Sequence, residues 1–306
     1  MIMGADQSND YYIPVPAESE NAWHALRRAK HTPINPGLVF DRFAPAWYGK
    51  KEDHANEAKY KGLLEVVKAT RRTDPKLFGA FVARYTAGTD AANAKRFRLK
   101  TDWRLVAGLG RKGPLEVGFT FNRYGYPVLP GSTLKGVARA WGLALLTDSS
   151  ALAPDGWEQV IMEPKDKTFE SRLGKTGAAP HICQMARQLR WIFGTQDQAG
   201  GVVFWDGIPA EIPTLEVDIM NPHYPKYYQE KEPPTNWQSP VPIFFLTVAA
   251  GMSFFFAVSL RPGFALPDGS TTTTSGLLEL SQDWLKNGLM ELGAGAKTNA
   301  GYGYFA

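Results

Sequence analysis

The sequence predicts an α+β fold whose core strands and helices follow the order β-α-β-β-α-β, preceded by a helical extension. Two observations predict it. From residue 95 onward, short runs with strand-like alternation are interleaved with amphipathic helical segments in that order. The chain also has 306 residues, 44% of them hydrophobic and 21% charged, which is an ordinary globular composition and enough for one large domain.

Residues 1–94 are predicted to form an N-terminal helical extension. The stretch 57–72 concentrates its apolar residues on one helical face, and 77–85 predicts a second helix. The first residues lack the basic and apolar regions of a signal peptide, and the single cysteine, Cys183, suits a reducing compartment. A cytoplasmic location is therefore expected.

Residues 95–306 are predicted to form the core domain. Its first part is expected to hold a strand at 96–107, a glycine turn at 108–114, a strand at 115–121, an apolar piece at 126–129 and a helix from 133. A second helix at 182–192 is followed by strands at 201–205, 215–219, 244–249 and 253–260. The domain ends with a helix after 271–275 and a last strand at 302–305. Reduced to its core, this is the ferredoxin-like or RRM-like order. Residues from about 221 to 242 form a long Pro- and Tyr-rich insertion between two presumed central strands, and such insertions usually carry function.

Positive charge is concentrated in one part of this domain. The stretch 95–139 holds ten basic and two acidic residues, a net of +8, whereas the whole chain carries only +4. The basic residues are Lys95, Arg96, Arg98, Lys100, Arg104, Arg111, Lys112, Arg123, Lys135 and Arg139. This distribution indicates a surface built for an anion, and its alternative is the solvated face of a strand pair.

Two motifs stand out near the ends of the predicted helices. The segment 129–136, Leu-Pro-Gly-Ser-Thr-Leu-Lys-Gly, starts a helix whose first amides and dipole favour an anion. Lys135 and Arg139 are four residues apart and therefore share a face. The glycine-rich loop 293–303 can let a phosphodiester backbone approach closely, or it can simply end a helix and lead into the last strand.

Two nucleotide-binding motifs fail on their context. The stretch 108–113 matches GxGxxG, but a proline and a strand follow it, and Thr133 stands where an acidic residue is needed. The stretch 295–298 resembles the end of a P-loop, yet Ala296 replaces the second glycine and too little chain follows for the helix.

The pair of motifs LPGSTLKGVARAW (129–141) and GAGAKTNAGYGYF (293–305) resembles the signature of the RAMP superfamily of CRISPR systems. Two further stretches, 192–207 and 215–228, are similar to the sixth-subunit branch of that family, found in Cmr (type III-B) effector complexes. The resemblance spans about residues 95–306 and adds little for the N-terminal third.

The resemblance implies a non-catalytic structural subunit that binds guide RNA near its 3′ end and supports target RNA recognition in antiviral defence. It implies crRNA, target RNA and other RAMP subunits of the Cmr complex as partners, with no cofactor, no metal and no membrane. The residues expected to bind RNA are Gly131, Ser132, Thr133, Lys135, Arg139, Gly295, Lys297, Thr298, Asn299, Gly301 and Gly303. The 221–242 insertion stands where RAMP proteins project a thumb-like hairpin. Tyr224, Tyr227 and Tyr228 are candidates there either for base stacking or for packing against a neighbouring subunit.

Catalysis finds little support among the residues. The five histidines, His24, His31, His54, His181 and His223, have no partner at motif spacing, and Asp197, Asp206 and Asp218 have no metal-ligand spacing. No acidic residue lies between Glu116 and Asp148, where the cleaving RAMP subunit of such complexes is expected to hold its aspartate. The alternatives are a RAMP endoribonuclease that processes guide-RNA precursors and a protein scaffold without RNA contact.

Overall fold

The computed structural model describes residues 11–13, 15–29, 32–44, 46–47, 52–111, 117–221, 242–268 and 270–306. The strands are β1 (Tyr11–Tyr12), β2 (Ala46–Trp47), β3 (Lys95–Lys100), β4 (Val202–Phe204), β5 (Ile208–Pro209), β6 (Leu215–Met220), β7 (Ile243–Val248) and β8 (Ser253–Leu260). The helices are α1 (Ala17–Arg28), α2 (Pro36–Arg42), α3 (Glu52–Thr70), α4 (Pro75–Ala91), α5 (Gly131–Asp148), α6 (Pro154–Ile161), α7 (Asp166–Lys175), α8 (Pro180–Phe193) and α9 (Thr274–Glu291), with a 3₁₀ turn at Thr298–Ala300. None of the helices in the described ranges has the length and apolarity to span a membrane.

The main sheet has β8 at its centre. Strand β8 pairs antiparallel with β3 on one side and with β4 and β5 on the other. Beyond β3 the end of the chain adds an antiparallel bridge between Thr101 and Phe305. The four core strands are, in chain order, β3, β4, β8 and the C-terminal segment at Phe305. In the sheet the C-terminal segment lies beside β3, β3 beside β8, and β8 beside β4, so the fourth, first, third and second strands are neighbours. The predicted ferredoxin-like fold class is confirmed.

Helices cover one face of this sheet. Phe204 of β4 stacks on Phe193 of α8 at 5.7 Å between ring centroids, and Phe193 stacks in turn on Trp284 of α9 at 6.1 Å. Helices α5 and α9 lie against each other closely enough that a Cβ at Gly142 would meet the Trp284 ring at 2.8 Å. Burial of these large rings supplies much of the core's stabilisation.

The chain divides into two compact units, and each unit is made of three separate stretches of sequence. One comprises residues 1–78, 104–127 and 212–252, and the other comprises 79–103, 128–211 and 253–306. The main sheet and helices α5 to α9 belong to the second unit. The predicted division of the chain into a helical extension, 1–94, and a core domain, 95–306, stays a prediction.

The first unit has its own core around α3. Leu63 and Val66 of α3 are buried, and Phe119 from the 104–127 segment is fully buried with its ring 4.8 Å from that of Phe121. Strands β6 and β7 pair with each other over six residues each. The unit therefore brings three separated stretches of chain together.

Three expectations about strands were wrong. Strands β6 and β7 form a separate two-stranded sheet and are not central strands of the main sheet. The strand expected over 96–107 ends at Lys100, because the backbone bends at Asp102, and Leu105 pairs instead with Val248. In the expected strand 115–121, the described residues from 117 make only one bridge, between Phe121 and Pro127.

Candidate nucleic-acid interface

Helix α5 begins at Gly131, two residues before the predicted start at 133. The Pro130 carbonyl accepts hydrogen bonds from the Thr133 and Leu134 amides at 2.9 and 3.1 Å, which closes the first turn. A Cβ at Gly131 would lie 2.1 Å from the Phe204 carbonyl oxygen. Only glycine fits this position, so Gly131 allows the close packing of α5 on β4.

The first amide of α5 already binds an anionic group of the protein. The Gly131 N–H donates to the Asp206 carboxylate at 2.7 Å. A carboxylate at a helix N-terminus is stabilised by the helix dipole. Asp206 was expected only as a possible metal ligand, because the 75 residues between it and Gly131 hide this contact from the sequence. The helix start is therefore less open to an external anion than its sequence suggested.

Three other motif residues remain near solvent. Ser132 is exposed, whereas Thr133 and Lys135 are half-buried. Burial lowers the pKa of the Lys135 ammonium, and the neighbouring Arg139 charge lowers that pKa further. This mutual effect agrees with the shared helix face that their spacing predicts. An anion placed beside Lys135 would relieve the repulsion.

Arg139 is bound within the protein. Its two terminal nitrogens each donate to a carboxylate oxygen of Glu158 in α6 at 2.5 Å. Arg139 was predicted to lie on the RNA-binding face, but its guanidinium is held in this two-point ion pair. The missed partner lies 19 residues away on another helix, and no local pattern identifies it.

The ion pair predicts a dependence of stability on pH. The hydrogen bonds from Arg139 hold the pKa of Glu158 below its ordinary value of 4.5. Because the folded-state pKa is the lower one, the pair stabilises the fold above about pH 4.5, and its contribution is lost as pH falls through the folded pKa. We expect Glu158→Gln to lower the melting temperature at pH 7 and to have a shrinking effect toward pH 3. A constant difference between the two proteins across this range would contradict this role.

The glycine-rich loop is closed by its own hydrogen bonds. The Ala294 amide donates to the Gly303 carbonyl at 2.8 Å, and the Lys297 carbonyl accepts from the Ala300 amide at 2.9 Å. Gly293, Gly295, Gly301 and Gly303 all have positive φ, between 73° and 93°. The loop thus ends helix α9 in a defined way and also presents a tightly curved backbone. It is therefore compatible both with a structural helix ending and with close approach of a phosphodiester backbone.

Lys297 adopts a conformation that disfavours side chains. Its φ is 62° and its ψ is 31°, in the left-handed region, and Thr298–Ala300 follow as a 3₁₀ turn. A non-glycine residue held there costs about 1–2 kcal/mol. Such a cost at an otherwise glycine-rich loop indicates that the lysine side chain has a use there.

The structure brings the two motifs to the same end of a helix pair. Gly288 of α9 lies beside Val137 of α5, where a Cβ would meet the Val137 side chain at 2.9 Å, and Trp284 lies beside Gly142. Residue numbers therefore rise along α5 as they fall along α9, and the helices are antiparallel. The C-terminal end of α9, with the loop after it, lies at the N-terminal end of α5, which starts with Gly131 and Ser132.

Acidic residues from elsewhere in the sequence neutralise part of the basic stretch. Besides Arg139, three of its members bind carboxylates: Lys95 binds Glu279, Arg96 binds Asp90, and Arg104 binds both Glu216 and Asp218. Arg98, Lys100 and Arg111 are exposed. The anion-binding surface is therefore smaller than the net charge of the segment suggested.

The nuclease candidates do not converge in the described part of the chain. His24 lies 3.7 Å from Glu20 on α1, and His181 is exposed. Asp206 accepts from Gly131 and Asp218 binds Arg104, while Asp197 is exposed. Over the described ranges, no three His, Cys, Asp or Glu side chains are grouped closely enough to hold a metal ion. His31 and His223, and the side chain of His54, lie outside the described residues.

The expected thumb leaves the fold from a hairpin end. Met220 is paired with Ile243 at the last position of the β6–β7 ladder, so the insertion begins and ends on adjacent strands. Tyr224, Tyr227 and Tyr228 lie outside the described residues, and their stacking or packing role stays a prediction.

The fold and the paired motifs define a class: a ferredoxin-like domain with a glycine-rich loop beside the first core helix. The model of the RAMP superfamily matches residues 96–306, and the chain belongs to this family. It is 34% identical over 257 residues, 74% of this chain and 72% of the relative, to the CRISPR system Cmr subunit Cmr6 of Pyrococcus furiosus. The resemblance noted in the sequence is thereby confirmed.

Two solved structures are also similar. The crystal structure of Cmr6 from Pyrococcus furiosus has a TM-score of 0.45 at 34% identity and covers 70% of this chain and 96% of that one. A chain of the type III-B Cmr-beta assembly, solved by cryo-EM bound to cognate target RNA, has a TM-score of 0.52 at 18% identity and covers 84% of this chain and 74% of that one. The second likeness supports the fold assignment.

Proposed function

We propose that this chain is a non-catalytic structural subunit of a type III-B CRISPR (Cmr) effector complex that binds guide RNA near the 3′ end of the crRNA. The observation that carries the proposal is the meeting of the α5 start and the glycine-rich loop at one end of the α5–α9 pair. Membership of the RAMP superfamily and 34% identity to a Cmr subunit support it. The partners are crRNA, target RNA and other RAMP subunits, and the location is cytoplasmic. The core domain of this subunit is residues 95–306, with 221–242 as its thumb.

The residues of the proposed interface divide by what they do. Ser132, Thr133 and Lys135 offer hydroxyls and a cation at the helix start, while the loop adds Gly295, Lys297, Thr298, Asn299 and Gly301. Gly131, Gly303 and Arg139 hold this frame through packing and the Glu158 ion pair. Contacts of this kind are made mainly with phosphates and sugars, so binding is largely independent of sequence and weakens as salt concentration rises.

Charge removal at two lysines tests the interface. We expect Lys135→Glu to reduce the RNA retained by the assembled complex several-fold, because each lost phosphate contact weakens binding. We expect Lys297→Gly to reduce RNA retention too, while the free energy of unfolding stays equal or rises by up to about 1 kcal/mol, since glycine relieves the left-handed strain. RNA recovery, urea denaturation and the salt dependence of binding measure these effects.

Matched lysines on exposed helical surface serve as controls. Lys175→Glu at the end of α7 and Lys286→Gly on α9 make the same changes elsewhere in the second unit. Equal RNA retention in all four variants would refute the proposed face. Site-specific cleavage of a guide precursor by the purified chain, abolished by one histidine substitution, would instead establish the endoribonuclease.

A further inference from the structure

The main sheet has a second face, opposite to helices α5, α8 and α9. Residues that are paired across β3 and β8 lie on the same face of the sheet. Phe97 and Phe256 are such a pair, and their rings stack at 5.4 Å on the face that the helices cover. Alternation then places Arg96, Arg98 and Lys100 on the opposite face, where register pairs Arg98 with Phe255. Three basic side chains therefore project from one strand onto this face.

Helix α4 covers one half of this opposite face. Arg96 donates to Thr89 and Asp90 of α4 at 2.7 and 2.9 Å. Nearby, Trp205 donates to Ser259 at 3.0 Å, and its ring meets that of Tyr85 edge-on at 6.2 Å. These contacts bury the half of the face that holds Ala257 and Ser259. These contacts do not involve the other half of the face, which holds Lys100 and Ser253.

Two exposed cations and two half-buried aromatic rings occupy the other half. Arg98 and Lys100 are exposed, and the Arg98 guanidinium lies 4.6 Å above the centroid of the half-buried Phe255 ring. Phe305 points to the helix-covered side, with its ring edge-on to Phe256 at 5.2 Å, so alternation turns the half-buried Tyr304 to this side. We call Arg98, Lys100, Phe255 and Tyr304 the open-face patch.

The charges and planar groups of the open-face patch suit an unpaired nucleotide. The Arg98 guanidinium lies over the Phe255 ring, and guanidinium planes and aromatic rings are the groups on which bases of single-stranded RNA stack. Lys100 lies two strand positions away, about 7 Å along the strand, within reach of a neighbouring phosphate. Of the nearby acidic residues, Glu211 accepts from the Ser253 amide and Asp102 lies at the bend after β3.

The open-face patch is continuous with the glycine-rich loop. Tyr304 follows the loop residue Gly303 directly, and the amide and carbonyl of Ala306 bond to Lys100 at 2.8 Å each. We propose that the open-face patch binds single-stranded RNA, with an unpaired base on the Arg98 guanidinium and a phosphate at Lys100. This adds a second contact surface to the proposed function and rests on it for the identity of the nucleic acid.

Binding of a fluorescent oligouridine by the purified full chain tests the proposal. We expect Arg98→Gln combined with Lys100→Gln to weaken binding roughly tenfold, and Phe255→Leu, which keeps an apolar side chain, to weaken it by roughly fivefold. Lys286→Gln, an exposed lysine on α9, should leave binding unchanged. With 4-thiouridine in the oligonucleotide, crosslinked peptides should include 95–100, 253–260 or 302–306.

The outcomes separate this proposal from the proposed function. If oligouridine binds the Arg98 and Lys100 variant as tightly as the natural chain, the open-face patch is not an RNA site, whatever the Lys135 and Lys297 variants do. If those lysine variants keep guide RNA while the open-face variants lose oligouridine, the interface proposed at the α5 start and the glycine-rich loop fails and the open-face patch stands. Loss of a neighbouring subunit from the complex with RNA binding intact would assign the patch to a protein partner and overturn the proposal.

Discussion

Replacing Gly131 with alanine is expected to destabilise the fold by roughly 3 kcal/mol. The added Cβ would lie 2.1 Å from the Phe204 carbonyl oxygen, a backbone atom that cannot turn away. Helix α5 would have to move off β4 and loosen the bond between the Gly131 amide and Asp206. Urea denaturation of the two proteins measures the difference.

Gly136→Ala is the matched control in the same helix. A Cβ there has no atom within 4 Å, and the residue is exposed. Alanine is the better helix former, so this variant should gain about 0.5–1 kcal/mol. Opposite signs for the two substitutions would establish that the packing against β4, and not helix propensity, selects glycine at residue 131. A stable Gly131→Ala protein would show that this packing is not needed.

Gly303→Ala should release the end of the chain from the sheet and cost roughly 3 kcal/mol. Gly303 has a φ of 77°, and a Cβ would lie 2.0 Å from the Ala294 carbonyl oxygen. Relief requires breaking the bond from the Ala294 amide to the Gly303 carbonyl, which closes the loop. We therefore expect faster hydrogen exchange at the Ala306 amide and a loss of RNA retention.

Gly263→Ala separates the two causes of the expected loss of stability, which are the left-handed backbone conformation and the clash of the added Cβ. Gly263 has a φ of 75° but no atom within 4 Å of an added Cβ, so it carries the left-handed cost alone, about 1 kcal/mol. If the two alanine variants lose the same stability and exchange at Ala306 is unchanged, the loop is not tied to the strand as described. A larger loss for Gly303→Ala with RNA retention intact would make the loop purely structural.

Local patterns predicted the elements well where the signal is local. Strand β8 runs from Ser253 to Leu260 as expected, and α5 begins directly after Pro130. Both depend on nearest neighbours: alternating apolar residues for the strand, and the fixed backbone of proline before a helix for α5. The helices predicted at 77–85 and 182–192 also form, as the longer helices α4 (75–91) and α8 (180–193).

Partners distant in the sequence were not predictable. Residues of β6 and β7 have the composition of strands, but composition does not say which sheet a strand joins, and the two pair with each other. In the same way, Arg139 looked available until Glu158 was placed beside it, and the α5 start looked open until Asp206 was placed there. Each miss involves a contact across the fold that one-dimensional spacing does not record.

The hairpin of β6 and β7 has a consequence for how this chain can change over evolutionary time. Because Met220 and Ile243 are paired neighbours, the segment between them starts and finishes about 5 Å apart. Between two such neighbours, a longer flexible connection adds little entropic cost, about 0.6 kcal/mol for each doubling. Insertions or deletions between these two residues are therefore expected to leave the register of β6 and β7 unchanged.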